Sequence, residues 1–472
     1  MIIVGMMALI SRSAIGGTRV DETLDWNAVL VDAVLSAGIG GPTPVRSAAI
    51  VHVAMFDAYN GIEQRYTPIH FDMQAPPGAS RRAALIQAAF ATLSKLYPSQ
   101  QAKFDAQRAA SLAALSEDQD DVNDGQSISL GLTWGDSVAK DILAWRASDG
   151  FTAVLPPFNG GSAVGQWRPT PPAFAPMAVQ QFAFMTPFAL TSVAQFRPPR
   201  PRDLAGSAWE SDYNMVKLMG SQTGSGRSAD QTNIAFFFNG VGLVHWADAA
   251  TALSRSHHLS RSANARLFAL LFVSGIDTAI TTWSAKRFYG ADPTSVTWRP
   301  ITAIRLGDTD GNPDTVQDPA WTPLINTPAH PDYPAGHPSS NGAAAEVLTE
   351  YFGDDDSSFT MTYPSFDASR CPGGLVPECA ASALRPGVPN SRSYTSIAQA
   401  EQDANNARLY GGMHYPSSIA ASSAEGHTVA KHVIANVAQS VHGKKAGQIS
   451  HDHGEGNCHG DGEVPNDDGS SY

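Results

Sequence analysis

The sequence predicts a mainly α fold arranged as two helical-bundle lobes, and three features carry that expectation. Window after window places apolar residues three and four apart, the spacing of one helix face. Most of these windows close on a glycine, a proline or a cluster of turn residues. No stretch alternates apolar and polar residues for long enough to make a sheet. At 472 residues the chain has room for a large core and two or more lobes. We divide it into a leader or frayed start (1–23), an N-terminal helical lobe with a Pro-rich wrap at 156–202 (24–255), a C-terminal helical catalytic lobe (256–440) and a disordered His-rich and acidic tail (441–472).

In the first lobe, 24–38 has helical periodicity with Gly38 as its stop, and 44–60 carries Ile50, Val51, Ala54, Met55 and Ala58 on one stripe. His52 and Asp57 on that helix read as structural. Windows at 81–97, 100–115 and 124–148 continue in the same manner. Residues 156–202 hold too many prolines for long helices and read as an extended wrap that packs aromatics across the lobes. Helical pattern resumes at 207–219, 230–238 and 242–255, where His245, Trp246, His257 and His258 have no usable partner spacing.

The helix at 263–289 is the most informative. Stepping back 100° per residue from Lys286, one face carries Phe268, Leu271, Phe272, Gly275, Ala279 and Trp283. A lysine ending so apolar a stripe points to an internal anion, because Arg299-Pro300 follows closely. Asp277 falls on the opposite face and suits a contact with the other lobe. The segment 308–314 imitates a calcium loop but has Pro313 where glycine is needed, so it reads as a surface turn. Residues 353–396 read as a long loop over the outside, followed by helices at 398–410 and 419–439, with His427 and His432 facing outward.

Composition excludes several classes. A formal charge of −13 argues against a nucleic-acid or anionic-membrane surface. No apolar run reaches the roughly 18 to 20 residues of a membrane span. The first ten residues have the length of a signal-peptide core but lack a preceding positive charge; we favour a secreted or periplasmic location over a soluble cytoplasmic one. Cys371 and Cys379 bracket a Pro/Gly-rich loop and could pair if the protein is exported, whereas Cys458 lies in the tail and no zinc spacing is present.

Chemistry concentrates in three segments. Thr327-Pro-Ala-His330-Pro-Asp-Tyr-Pro-Ala-Gly336-His337-Pro338 begins extended, because Pro328, Pro331 and Pro334 each remove a donor, and ends by starting a helix. His337 therefore stands where fresh helix amides attract an anion. Downstream, Arg408-Leu-Tyr-Gly-Gly-Met-His414 sets a second histidine six residues after an arginine. Upstream come Trp283-Ser-Ala-Lys286 and Trp298-Arg299-Pro300. Lys286, Arg299, Gly336, His337, Arg408 and His414 together provide cations and an amide for equatorial oxygens, one histidine for the central atom and one for protons.

This combination resembles the superfamily shared by vanadium-dependent haloperoxidases and type 2 phosphatidic acid phosphatases. Trp298-Arg-Pro-Ile-Thr-Ala-Ile-Arg305, His330-Pro-Asp-Tyr-Pro-Ala-Gly-His337 and Tyr410-Gly-Gly-Met-His414 are most similar to the bacterial haloperoxidases, over roughly residues 263–426. The resemblance implies two bundles with the active site in the C-terminal one. It implies vanadate in the +5 state as cofactor, with His414 its only protein ligand and no haem or flavin. Lys286, Arg299, Arg408 and the Gly336 amide would offset the oxygen charge. His337 would deprotonate hydrogen peroxide, Lys286 would polarise the activated oxygen, and halide attack would give hypohalous acid for a small organic substrate. A homo-oligomer is compatible with the sequence. Trp283 and His330 mark the halide pocket, and His330 stands where the family's bromoperoxidases resemble this chain and its fungal chloroperoxidases carry phenylalanine. Bromide and iodide are thus favoured over chloride. Two other readings use the same site: an acid phosphatase in which His414 forms a phosphohistidine and His337 protonates the leaving alcohol, and a non-catalytic oxyanion-binding relative.

Two departures stand out. The family's lysine lies seven residues before the arginine, whereas Lys286 lies thirteen before Arg299 and Asp292 takes the strict position. We infer an outward loop at 290–297 that leaves Lys286 in place; the alternative is that Arg287 substitutes for it. Ala335 replaces the family's serine and removes a hydroxyl donor worth roughly 1.5 to 3 kcal/mol to a charged group, which Ser339 or Ser340 would have to replace.

Overall fold

The computed structural model describes residues 21–115, 124–354, 357–363 and 388–441. The leader, the Cys371–Cys379 pairing and the tail lie outside them.

The first helices form where capping and apolar spacing coincide. Helices α1 (Glu22–Ala37), α2 (Thr43–Glu63), α3 (Arg81–Leu96), α4 (Gln101–Ala113) and α5 (Gly125–Ala147) make the N-terminal bundle. Asp21 caps α1 by accepting from the amides of Thr23 and Leu24, and Gly38 ends it in the left-handed region. Ser80 and Asp124 cap α3 and α5 in the same way. After the wrap come α6 (Ser207–Gly220), α7 (Ala229–Phe237) and α8 (Gly242–Ser256). The C-terminal half adds α9 (Arg261–Ala291), the short α10 (Pro300–Arg305), α11 (Gly336–Phe352), α12 (Ile397–Tyr410) and α13 (Pro416–Asn436). The fold is mainly α, as expected.

Helix α9 is the wall both halves share. It packs on α1 and α2 on one side and on α11 and α13 on the other, and the largest apolar cluster runs through it from Leu24 to Ala438. Hydrophobic on all sides, it behaves as a buried helix should. Its length and an 18-residue window of mean hydropathy 1.4 would suit a membrane span, which corrects the expectation that no run reaches that length. That window is 94% buried within the protein, so its apolar surface is already covered. At Gly275 an added Cβ would lie 3.1 Å from Val45 Cγ1, so glycine lets α2 approach closely.

Asp277, on the far face of α9, holds the wrap. Its carboxylate accepts from the amides of Phe188 (2.6 Å), Ala189 (2.7 Å) and Leu190 (3.0 Å), and burial pushes its pKa up to about 6. The wrap is otherwise irregular, with a 3-10 turn at Gln180–Phe184. His52 is buried between Phe268 and Phe272 and meets Asn27 Oδ1 at 3.3 Å. Asp57 accepts from the amides at 69–71.

Two sequence expectations are corrected here. The stretch 353–396 is not all loop: β1 (Phe359–Thr362) pairs antiparallel with β2 (Ser391–Tyr394), Phe359 opposite Tyr394. Four residues are too few to show alternation, yet Phe359 and Met361 point inward and the amide of Thr362 donates to Asp248 of α8. His427 does not face outward. Half-buried, it meets Glu346 of α11 at 2.8 Å through Nδ1 and Glu401 of α12 at 3.1 Å through Nε2, with Lys431 near Glu346.

Both ring nitrogens of His427 face carboxylates, and Glu401 above all raises its pKa over the ordinary value. A group whose folded pKa exceeds its unfolded one stabilises fully below the unfolded value, about 6.5 for histidine, and loses that contribution as pH rises through the folded value. Urea denaturation at pH 6 and pH 9 should therefore show a difference that shrinks in His427→Asn. An unchanged difference would remove this linkage.

Candidate active site

The site is assembled on the proline-rich segment that enters α11. Without partners of their own in a helix or sheet, its carbonyls are open to side-chain donors. His330 O accepts from Arg299 Nε at 2.7 Å, and Lys286 Nζ donates to Pro331 O at 2.7 Å and Asp332 O at 3.2 Å. Both cations are fully buried, and among the described residues neither forms an ion pair.

The six sequence-picked residues arrive on several supports, with Gly336 and His337 sharing one. Lys286 ends the apolar stripe of α9 and lies 6.0 Å from the Trp283 ring. Arg299 is the residue before Pro300 at the start of α10, its neighbour Trp298 locked against Trp209. Gly336 opens α11, whose first-turn amides lack intrahelical partners; an added Cβ there would lie 3.3 Å from the Trp283 ring. His337 follows, half-buried, with Nε2 at 3.4 Å from Gly240 O. Arg408 closes α12, its Nη2 3.0 Å from Met413 Sδ. His414 is fully buried.

The sharp turn from Arg408 to His414 depends on glycine. Gly412 has φ +74°, and an added Cβ would meet Gly220 O at 2.5 Å and Pro323 Cβ at 2.9 Å. The end of α6 is thus pressed against this turn, backbone to backbone, and Ile325 N donates to Gly411 O.

The charges converge. Arg299 Nη1 reaches Met413 O at 2.8 Å and His414 Nε2 at 3.1 Å, while its Nη2 reaches His330 Nδ1 at 2.9 Å. Burial, then Arg299, holds Lys286 well below its ordinary pKa. Burial, then Arg299, Lys286 and Arg408, does the same to His414. His337 is lowered by burial and then by Arg408, so both imidazoles are neutral. Burial pushes Arg299 down to about 10.

Sequence reading missed two carboxyls here. Asp332 Oδ1 lies 2.8 Å from His414 Nδ1, and burial moves its pKa up to about 7 against the pull of Arg299 and Lys286. The signal was available: a buried histidine that presents one nitrogen to a ligand needs a partner for the other. Glu425 of α13 accepts from Thr282 Oγ1 at 3.1 Å and is pushed up to about 8 by burial. No local pattern marks it.

The two departures resolve differently. Lys286 keeps its place, and Arg287 instead lies over the Phe158 ring at 4.0 Å, away from the cluster. Asp292 bonds Thr294 and Ser295 and pairs with Arg200 at 3.3 Å, while Thr297 and Trp298 return the chain by donating to Gly165 O. The serines do not replace the missing hydroxyl at 335. Ser339 Oγ lies 2.9 Å from Thr282 Oγ1 and 2.9 Å from Gly336 O, and Ser340 Oγ donates to Gly336 O at 3.3 Å. First-turn serines turn back onto their own helix in this way. Trp283 and His330 do meet, ring centroids 5.3 Å apart.

Gly412→Ala should cost more than about 1 kcal/mol in stability, because the left-handed backbone penalises a Cβ, and should weaken inorganic phosphate binding at least tenfold. Calorimetry on the folded variant checks this, and wild-type affinity would show that the turn does not set His414.

Comparisons with known proteins bear on the family and the fold. Residues 266–443 match the family described as the VCPO second helical-bundle domain. Over 98 residues, 19% of this chain, the sequence is 35% identical to the vanadium chloroperoxidase of Curvularia inaequalis; the match spans 14% of that protein. Among solved structures, the first bacterial vanadium-dependent iodoperoxidase superposes with a TM-score of 0.70 at 23% identity, over 90% of this chain and 98% of that one. A holo-type bacterial vanadium-dependent chloroperoxidase gives 0.62 at 16% identity, over 87% and 91%. Residues 266–443 therefore match the VCPO second helical-bundle domain family, and the chain has the fold of the bacterial vanadium-dependent haloperoxidases.

Proposed function

We propose that this chain is a vanadate-dependent haloperoxidase that oxidises bromide or iodide with hydrogen peroxide. The observation that carries the reading is the pair of fully buried cations, Lys286 and Arg299, held on carbonyl oxygens around a neutral histidine with no ion pair among the described residues. Burying a charge without a counter-charge costs several kcal/mol per ion, and a tetrahedral oxyanion would remove that cost. The donor set suits vanadate: two guanidinium groups, an ammonium, first-turn amides and one imidazole lone pair. Phosphate suits it equally by charge and shape.

Bound vanadate would supply a Lewis-acid centre for two-electron transfer from halide to peroxide, H2O2 + X− + H+ giving HOX + H2O. Lys286, Arg299, Arg408 and the Gly336 amide would hold its oxygens, and His414 would contribute Nε2, since Nδ1 is taken by Asp332. His337 donates Nε2–H toward Gly240 O, which leaves the Nδ1 lone pair as the base for a peroxide proton. Its half-buried position gives that base contact with incoming solutes. His330 and Trp283 stand next to Arg299 and Lys286 and form the wall a halide would meet.

The purified chain, incubated with orthovanadate, should brominate phenol red in the presence of peroxide, with iodide and bromide oxidised faster than chloride. Inorganic phosphate should inhibit by competing for the same cradle. Lys286→Met should lose about 100-fold or more in rate, the usual cost of one preorganised charge-stabilising donor. Hydrolysis of p-nitrophenyl phosphate without halide oxidation would overturn the proposal in favour of a phosphatase; failure of both activities would favour an anion-binding relative.

A further inference from the structure

We propose that Asp332 is the positioning residue of His414: its carboxyl group fixes the imidazole with hydrogen on Nδ1 and so directs the Nε2 lone pair into the oxyanion cradle. This rests on the oxyanion reading of the site and adds the device that orients its one nitrogen donor.

The tautomer follows from partners alone. A guanidinium only donates, so the Arg299 Nη1 contact at 3.1 Å makes His414 Nε2 an acceptor. A neutral imidazole carries one hydrogen, which must then sit on Nδ1, and Nδ1 faces Asp332 Oδ1 at 2.8 Å. Both side chains are buried, with exposures of 2% and 3%, so water offers Nδ1 no competing acceptor.

Asp332 is itself held from several sides. Its amide donates to Thr297 O at 2.9 Å, and its carbonyl accepts from Lys286 Nζ at 3.2 Å and Ser418 Oγ at 3.4 Å. Pro331 and Pro334 restrict the backbone around it. One residue therefore grips two members of the site, Lys286 by its main chain and His414 by its side chain. Side-chain substitution leaves the carbonyl for Lys286 intact and isolates the contact with His414. Ser418, four residues after His414, adds its hydroxyl on the carbonyl rather than on the imidazole.

The test uses the ligand-free full chain labelled with 15N-histidine. Two-bond 15N–1H correlations, with His414 assigned by its loss in His414→Gln, should show a protonated Nδ1 and an unprotonated Nε2. In Asp332→Ala that single tautomer should be lost, and orthovanadate and inorganic phosphate affinities measured by calorimetry should fall about 10- to 100-fold, the usual range for partners behind a ligating side chain. Asp332→Asn retains an acceptor oxygen and should fall between. Near-UV circular dichroism establishes that the variants are folded. Wild-type tautomer and wild-type affinity in Asp332→Ala would overturn the proposal, as would a protonated Nε2 in the native protein. If the native protein binds neither anion, the oxyanion reading fails, while the ligand-free tautomer still decides the role of Asp332.

Discussion

Three prolines in the stretch from Thr327 to Gly336 keep it out of helix and sheet, and the arrangement around it depends on that. A helix or strand in this place would have used its carbonyls internally. As it stands, the oxygens of His330, Pro331 and Asp332 accept three bonds from Arg299 and Lys286, and the Asp332 side chain takes His414. The carbonyl dipoles hold the cations in position without cancelling their charge. On the function we propose, that charge is what an external anion would meet.

Helix α9 makes burial of Lys286 affordable. Its apolar surface joins both halves of the molecule into one core, and the lysine lies at the end of a face otherwise covered by Phe268, Phe272 and Trp283. Asp277, on the reverse face, ties the wrap down on three amides, and the wrap in turn presents Ala178 O to Trp283 Nε1 at 3.3 Å. The same helix thereby fixes a cation on one face and the covering segment on the other. From the opposite side, Gly220 and Gly412 press α6 against the turn that delivers His414. These supports come from separated parts of the chain and converge on one point.

Much of this was legible in the sequence because it follows from local rules. Helical spacing and stops located the long helices, and the prolines and glycines of the two motifs gave their backbone shapes. Lys286 could be placed from helix periodicity together with the nearby Arg299-Pro300, against the family spacing, because a face is a property of the helix and not of the loop that follows it. What was not legible is pairing across distance. Asp332 meets His414 over 82 residues of chain, and Glu425 reaches Thr282 over 143. His427 was misread because a helix position specifies a face but not whether two other helices bring carboxylates to it. The strands at 359–362 and 391–394 were missed because each is too short to alternate before its partner arrives.

The central claim is that the buried positive charge of Lys286, Arg299 and Arg408 exists to hold one small oxyanion against His414. A crystal structure of the protein grown with orthovanadate tests it most directly. The account predicts one tetrahedral or trigonal-bipyramidal vanadium oxyanion in that cradle, with His414 Nε2 as its protein ligand and Nδ1 still on Asp332. A cradle without the anion at saturating vanadate, or vanadium bound elsewhere on the chain, would contradict it.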